Sequence, residues 1–186
     1  VGNKIEIKRN FFLARSYDQL DKTNKAFEYF TKANILDSNS VDVKRFDKNR
    51  YLDNIDKKKN YFTKKNIDHW RIIKYPKSNF NPVFLIGFPR SGTTLLDTIL
   101  SSHPKIKVIE EKPMVLKMVD KIKNNDLHSL KNINVPEIED LQKEYLMELR
   151  KYINVENKSN LYIDKLPLNL INTGEIVRIF PNAKFI

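Results

Sequence analysis

Apolar residues recur along this chain with two different periods. Phe11, Leu13, Ala14 and Tyr17 fall at helical spacing, and Ala26, Phe30 and Ala33 do so again after a polar turn at Asp21-Lys22-Thr23-Asn24. Residues 7–37 are therefore predicted to form two short amphipathic helices. The small side chains of Ala14, Ala26 and Ala33 let them approach closely, while Tyr17 and Phe30 fill the gaps. Residues 40–72 are polar and lysine-rich, with Phe46, Tyr51, Ile55, Tyr61 and Phe62 as scattered apolar anchors, and read as helix. His69-Trp70-Arg71 reads as a packed aromatic at a junction. At Tyr75-Pro76 the character changes. Pro82–Gly87 is a short apolar run between turn formers, as expected of a buried parallel strand. Leu95, Leu96, Ile99 and Leu100 then mark a helical face that Pro104 ends. Lys107–Ile109, Leu161–Ile163 and Ala183–Ile186 read as three further strands. Helices are expected from Pro113, over 137–153 with Ile138, Leu141, Tyr145, Leu149 and Tyr152 on one side, and over 168–179. Asn134 followed by Glu137 predicts a cap for the second of these.

Strands alternating with helices imply an α/β fold, a P-loop-like parallel sheet flanked by helices. The last strand is expected to be cut short, so that the sheet is incomplete at the C-terminus. Three regions follow: a helical module over 1–40, a capping helix and linker over 41–80, and the α/β part over 81–186. The first resembles one tetratricopeptide repeat, whose period is about 34 residues. Ala14 and Tyr17 stand at its small and aromatic positions, and Ala26, Phe30 and Ala33 at those of its second helix. The early tryptophan and closing proline of that repeat are missing. One repeat cannot bury its own face, so earlier repeats are expected upstream.

Composition narrows the chemistry. The chain has 186 residues, 40% hydrophobic and 31% charged, as a folded water-exposed protein has. With no cysteine there is no disulfide, thiolate metal site or cysteine nucleophile. No apolar run reaches the roughly 20 residues needed to span a bilayer. A cytoplasmic location is expected, although the chain starts at Val1 and an upstream segment is allowed for. The net charge of +11 reads first as lysines on solvated faces and, as the functional alternative, as attraction of anionic ligands such as a nucleotide or an acidic substrate. Its lysines are spread along the chain, without an aromatic-interleaved basic motif, so no nucleic-acid partner is expected. Met114, Met118 and Met147 read as core, and His103 as a helix end before proline.

The informative segment is Gly87-Phe88-Pro89-Arg90-Ser91-Gly92-Thr93-Thr94, set between a buried strand and an amphipathic helix. In that setting backbone N–H groups and a helix N-terminus hold phosphate. Gly92 lets the backbone come close, Ser91, Thr93 and Thr94 add hydroxyls, and Arg90 adds a charged fork. The spacing of Gly87 and Gly92 matches a Walker A loop, but Thr93 stands where its lysine would be. That argues against ATP or GTP hydrolysis, because the lysine reaches the β- and γ-phosphates there.

Pro89–Leu95 is similar to the 5′-phosphosulfate loop of sulfotransferases, in the form found in tyrosylprotein sulfotransferases and in bacterial proteins joining tetratricopeptide repeats to a sulfotransferase domain. The likeness continues in order through His103-Pro104, Glu110-Glu111, Asp164-Lys165-Leu166-Pro167 and Phe180–Phe185, covering about residues 82–186. It implies that 3′-phosphoadenosine 5′-phosphosulfate (PAPS) is the co-substrate, with no metal. Pro89, Arg90, Ser91, Gly92, Thr93 and Thr94 would hold its phosphosulfate. Glu111 would be the general base, preferred to Glu110 for its matched distance from the loop. Lys165 would stabilise negative charge, with Asp164 orienting it. The residues for the 3′-phosphate would lie beyond Ile186, so this stretch alone would have little activity. The resemblance implies sulfuryl transfer to a hydroxyl, on peptidyl tyrosine or a glycan, with a protein partner possible through the repeat helices. A P-loop nucleotide kinase or ATPase and a non-catalytic repeat scaffold are the alternatives.

Overall fold

The computed structural model describes residues 2–40, 47, 49–75, 80–122, 126–153 and 161–186. Phe46 and Pro76, named above, lie outside them. The chain divides into two compact units, Val1–Asp53 and Asn54–Ile186.

In the first unit α1 (Gly2–Gln19) and α2 (Thr23–Ser38) form a hairpin around a tight turn. Asp21 enters that turn with a φ of 55°, and Leu20 and Lys22 close it by donating to the Tyr17 carbonyl. Ala14, Ala26 and Ala33 are buried, so the helices approach over methyl groups as the pattern predicts. Tyr17 stacks on Tyr29 with ring centroids 5.4 Å apart, and Phe11 meets Phe30 at 6.4 Å. Such aromatic pairs each contribute roughly 0.5–1.5 kcal/mol beyond burial.

The division falls within helix α3 (Arg50–Tyr61), whose residues from Asn54 onward belong to the second unit with α4 (Lys64–Asp68). Segment 54–75, expected as part of a linker, thus supplies core to the second unit. Tyr61 is buried there, and Trp70 lies between Phe62 and the Arg178 guanidinium. Arg178 also donates to the carbonyls of Leu130 and Arg71, tying this segment down by charge-assisted bonds. Below Tyr61, Lys58 forms a buried ion pair with Glu175 and donates to Asn172.

The sheet has four parallel strands in the order β2-β3-β1-β4: β1 is Val83–Leu85, β2 Ile106–Glu110, β3 Leu161–Lys165 and β4 Lys184–Phe185. Between them come α5 (Thr93–Ser101), α6 (Met114–Asp120), α7 (Val135–Leu149) and α8 (Thr173–Ile179). Asn134 and Glu137 close the predicted capping box at the start of α7. The expected helix over 168–179 is divided: a 3-10 turn at Pro167–Asn172 precedes α8. Met114 and Met118 are core, but Met147 is 60% exposed, since it falls off the stripe of Ile138, Leu141, Tyr145 and Leu149 on α7. Tyr152 follows the end of the helix and is exposed as well. Among the described residues no helix is long and apolar enough to cross a membrane.

Alternation along β3 sends neighbouring residues to opposite faces. Asp164, level with Phe84 and Ile109, faces the core that α6 and α7 cover, where it accepts from the Tyr145 hydroxyl at 3.1 Å. It therefore does not orient Lys165, contrary to expectation. Burial pushes the Asp164 carboxyl up to about 7, partly offset by the bond from Tyr145. An unfolded carboxyl titrates near 4. Between those values the folded chain keeps a proton that the unfolded chain has lost, so stability falls as pH rises from about 4 to about 7, by on the order of a few kcal/mol. Asp164→Asn removes that loss. Its melting temperature is expected to exceed that of the parent at pH 8 and to lose the advantage at pH 5; a gap independent of pH would contradict this.

Candidate active site

The chain leaves β1 toward β2 on one side and leaves β3 toward β4 on the other. The C-terminal ends of these adjacent strands therefore flank a topological switch point, where open α/β sheets bind ligands. The loop of residues 86–92 emerges there. It is anchored by the Gly87 N–H donating to the Pro167 carbonyl at 3.2 Å and folded by a turn from Ser91 N–H to Phe88 O at 3.1 Å. A Cβ on Gly87 would stand 3.0 Å from Ser91 Oγ, a tight contact that a shift of that hydroxyl would have to relieve.

Arg90 and Gly92 adopt positive φ, at 68° and 90°, and turn the backbone into α5. Nothing lies within 4 Å of where a Cβ of Gly92 would point. The first intrahelical bond of α5 runs from Leu96 N–H to Gly92 O, so the N–H groups of Thr93, Thr94 and Leu95 have no acceptor inside the helix. Phe88, Pro89, Arg90, Ser91 and Gly92 are exposed. The result is an open cradle of N–H groups, hydroxyls and one guanidinium, all suited to an anion.

On the sheet face covered by α5, Leu85, Lys165 and Glu110 stand side by side at the ends of β1, β3 and β2. Lys165 is only 1% exposed. Its ammonium is hydrogen-bonded to Glu110, and Asp97 Oδ2 and Glu111 Oε1 each lie 3.8 Å away. That bond and the ammonium's charge hold the Glu110 carboxyl below its ordinary value. Glu111 follows β2 in a left-handed conformation, φ 50°, and its N–H donates to the Lys165 carbonyl at 2.7 Å. This bend ends the strand and sends the two glutamates in different directions. The structure thus brings Glu111, Glu110 and Lys165 together, adds Asp97, which sequence reasoning missed, and sets Arg90 in the adjoining loop. Asp97 lies four residues from Ser101 on α5, but only packing of that helix on β3 reveals its partner. His103 ends α5, its ring accepting from the Lys105 N–H.

A cleft of about 620 Å³ between α7 and residues that follow α6, lined by Ile122, Ile133, Leu141, Glu144 and Met147 among others, contains none of these residues. Among the described residues no cluster of metal-ligating side chains occurs.

Residues 82–186, more than half of the chain, match the sequence profile described as sulfotransferase family. An uncharacterized protein of Aquifex aeolicus is 30% identical over all of the chain and a quarter (25%) of its own length. Protein-tyrosine sulfotransferase 1 of Danio rerio and of Homo sapiens are each 27% identical over 56% of the chain, covering 31% and 30% of those proteins. The chain thus spans a third or less of the relatives it matches. The profile match over residues 82–186, the stretch that holds the anion loop, Glu110, Glu111 and Lys165, places the chain in the sulfotransferase family.

Proposed function

We propose that the complete protein is a PAPS-dependent sulfotransferase acting on a hydroxyl. The observation that carries this reading is the buried Lys165 ammonium at the switch point, beside an anion cradle whose charge comes from Arg90. The residues present fit the phosphosulfate end of PAPS: N–H groups of Thr93, Thr94 and Leu95, hydroxyls of Ser91, Thr93 and Thr94, and open space over Gly92. When bound, PAPS supplies a sulfuryl group on a phosphate leaving group.

Lys165 neutralises charge that builds on the bridging oxygen, and this kind of preorganised stabilisation dominates such transfers. Its hold on Glu110 is exchanged for the arriving anion. Glu111 accepts the proton of the attacking hydroxyl. The hydrogen bond and charge of the Lys165 ammonium hold the Glu110 carboxyl below its ordinary value, which disfavours Glu110 as the base. A tyrosine hydroxyl has a pKa near 10, so its proton moves late, as the new S–O bond forms. The names of the relatives favour peptidyl tyrosine over a glycan. We read the α1–α2 hairpin as a tetratricopeptide-like repeat that presents a partner or substrate protein.

Transfer of labelled sulfate from PAPS by the complete protein tests this. Arg90→Ala is expected to weaken adenosine 3′,5′-bisphosphate binding by about ten- to a hundredfold, the loss of one charged hydrogen-bonding fork. Glu111→Ala is expected to leave that binding intact and lower kcat. Uptake of ATP with magnesium in place of the bisphosphate would point to a P-loop kinase or ATPase.

A further inference from the structure

We infer that Asp97 is a positioning residue that holds the Lys165 ammonium in place when Glu110 gives it up; the catalytic part of this inference rests on the sulfuryl-transfer reading of the site. Three carboxylates surround the ammonium, and they differ in how they are held. The side chains of Glu110 and Glu111 are 55% and 62% exposed, free to swing with an incoming ligand. That of Asp97 is 14% exposed. It sits on α5 beside Leu96 and Leu100, which pack on the sheet, and Ser101 Oγ donates to its Oδ1 at 3.0 Å. This leaves Oδ2 facing the lysine.

Helix α5 begins in the anion cradle, and Asp97 lies one turn further on, a rise of about 6 Å. The same rigid element therefore fixes both the cradle and the inner anchor of the lysine. Without Asp97, Lys165 has carboxylate partners only on its solvent side, and one of them competes with the ligand for it. An ammonium drawn outward with Glu110 misses the oxygen that becomes negative. Asp97 acts on the reaction through Lys165 and needs no contact with substrate.

The test uses the complete protein with lysine labelled at 15Nζ, the Lys165 signal assigned by its absence in Lys165→Met. In the parent protein that signal is expected to persist when adenosine 3′,5′-bisphosphate binds. In Asp97→Asn its proton exchange should quicken at least tenfold. At saturating PAPS, Asp97→Asn should lower kcat tenfold or more while bisphosphate affinity stays within about threefold. Ser101→Ala, which keeps every charge and removes only the tether, should lower kcat about threefold with the same affinity. An unchanged 15Nζ signal in Asp97→Asn overturns the inference whatever the activity. So does a kcat within twofold of an active parent, or a parallel loss of affinity and rate. A parent protein that keeps the Lys165 signal but neither binds the bisphosphate nor transfers sulfate overturns the sulfotransferase reading and leaves the positioning role standing.

Discussion

Lys165→Met is expected to lower kcat of the complete protein by about 10²–10³-fold, the usual cost of removing one preorganised group from a charge that develops in the transition state. The size follows from where the ammonium lies. At 1% exposure it works in a medium from which water is largely excluded, so its field on a nearby oxygen is screened far less than at the surface. Methionine keeps most of the volume and removes the charge. Lys165→Arg is expected to recover little, because a planar fork cannot sit among Glu110, Glu111 and Asp97 as a compact ammonium does. Single-turnover transfer at saturating PAPS measures the effect without interference from product release. A fall of less than about tenfold would remove Lys165 from the chemistry and reduce it to a strand-end ion pair.

The second large effect falls on stability. Lys58→Met is expected to cost about 3–5 kcal/mol, because it leaves a buried carboxylate without its counter-charge. The Glu175 side chain is 0% exposed, and Lys58 on α3 is its ion-pair partner. Beyond that ion pair, neither of its oxygens has a hydrogen-bond partner among the described residues. Water cannot take over the role of Lys58 without opening α8 from α3. Hydrogen exchange of amides in 173–179 should therefore accelerate sharply in Lys58→Met. The double variant Lys58→Met/Glu175→Leu should restore most of the protection, because no unpaired charge then remains. Equal exchange in the single and double variants would mean that packing of the lysine stem, and not its charge, is what the site needs.

Much of the architecture was legible in one dimension. The strands of the sheet lie where short apolar runs stand between turn formers, and α7 follows the spacing of Ile138, Leu141, Tyr145 and Leu149 behind its Asn134–Glu137 cap. The anion loop could be read as well, because the glycines, hydroxyl residues and arginine that shape it are contiguous. Local errors have local causes. The apolar spacing over 168–179 does not separate a 3-10 turn from an α-helix, and the structure has the turn Pro167–Asn172 ahead of α8. Methionine suits cores, but the place of Met147 on α7 turns it outward.

Side-chain partners far apart in sequence are another matter. Lys58 meets Glu175, Asp164 meets Tyr145, and Lys165 meets Asp97 only when helices dock on a sheet whose order is not the chain order. Asp164 and Lys165 are neighbours in sequence and were expected to work together. The pleat of β3 sends one into the core and the other into the crevice. Periodicity and turn chemistry act over a few residues, so the order of residues alone was enough to specify the elements and the phosphate-type loop. Charge pairing acts across space, and the burial that makes it strong arises only once the layers have closed. Which carboxylates face Lys165, and which acid is left near neutral in the core, therefore became definite with the packing.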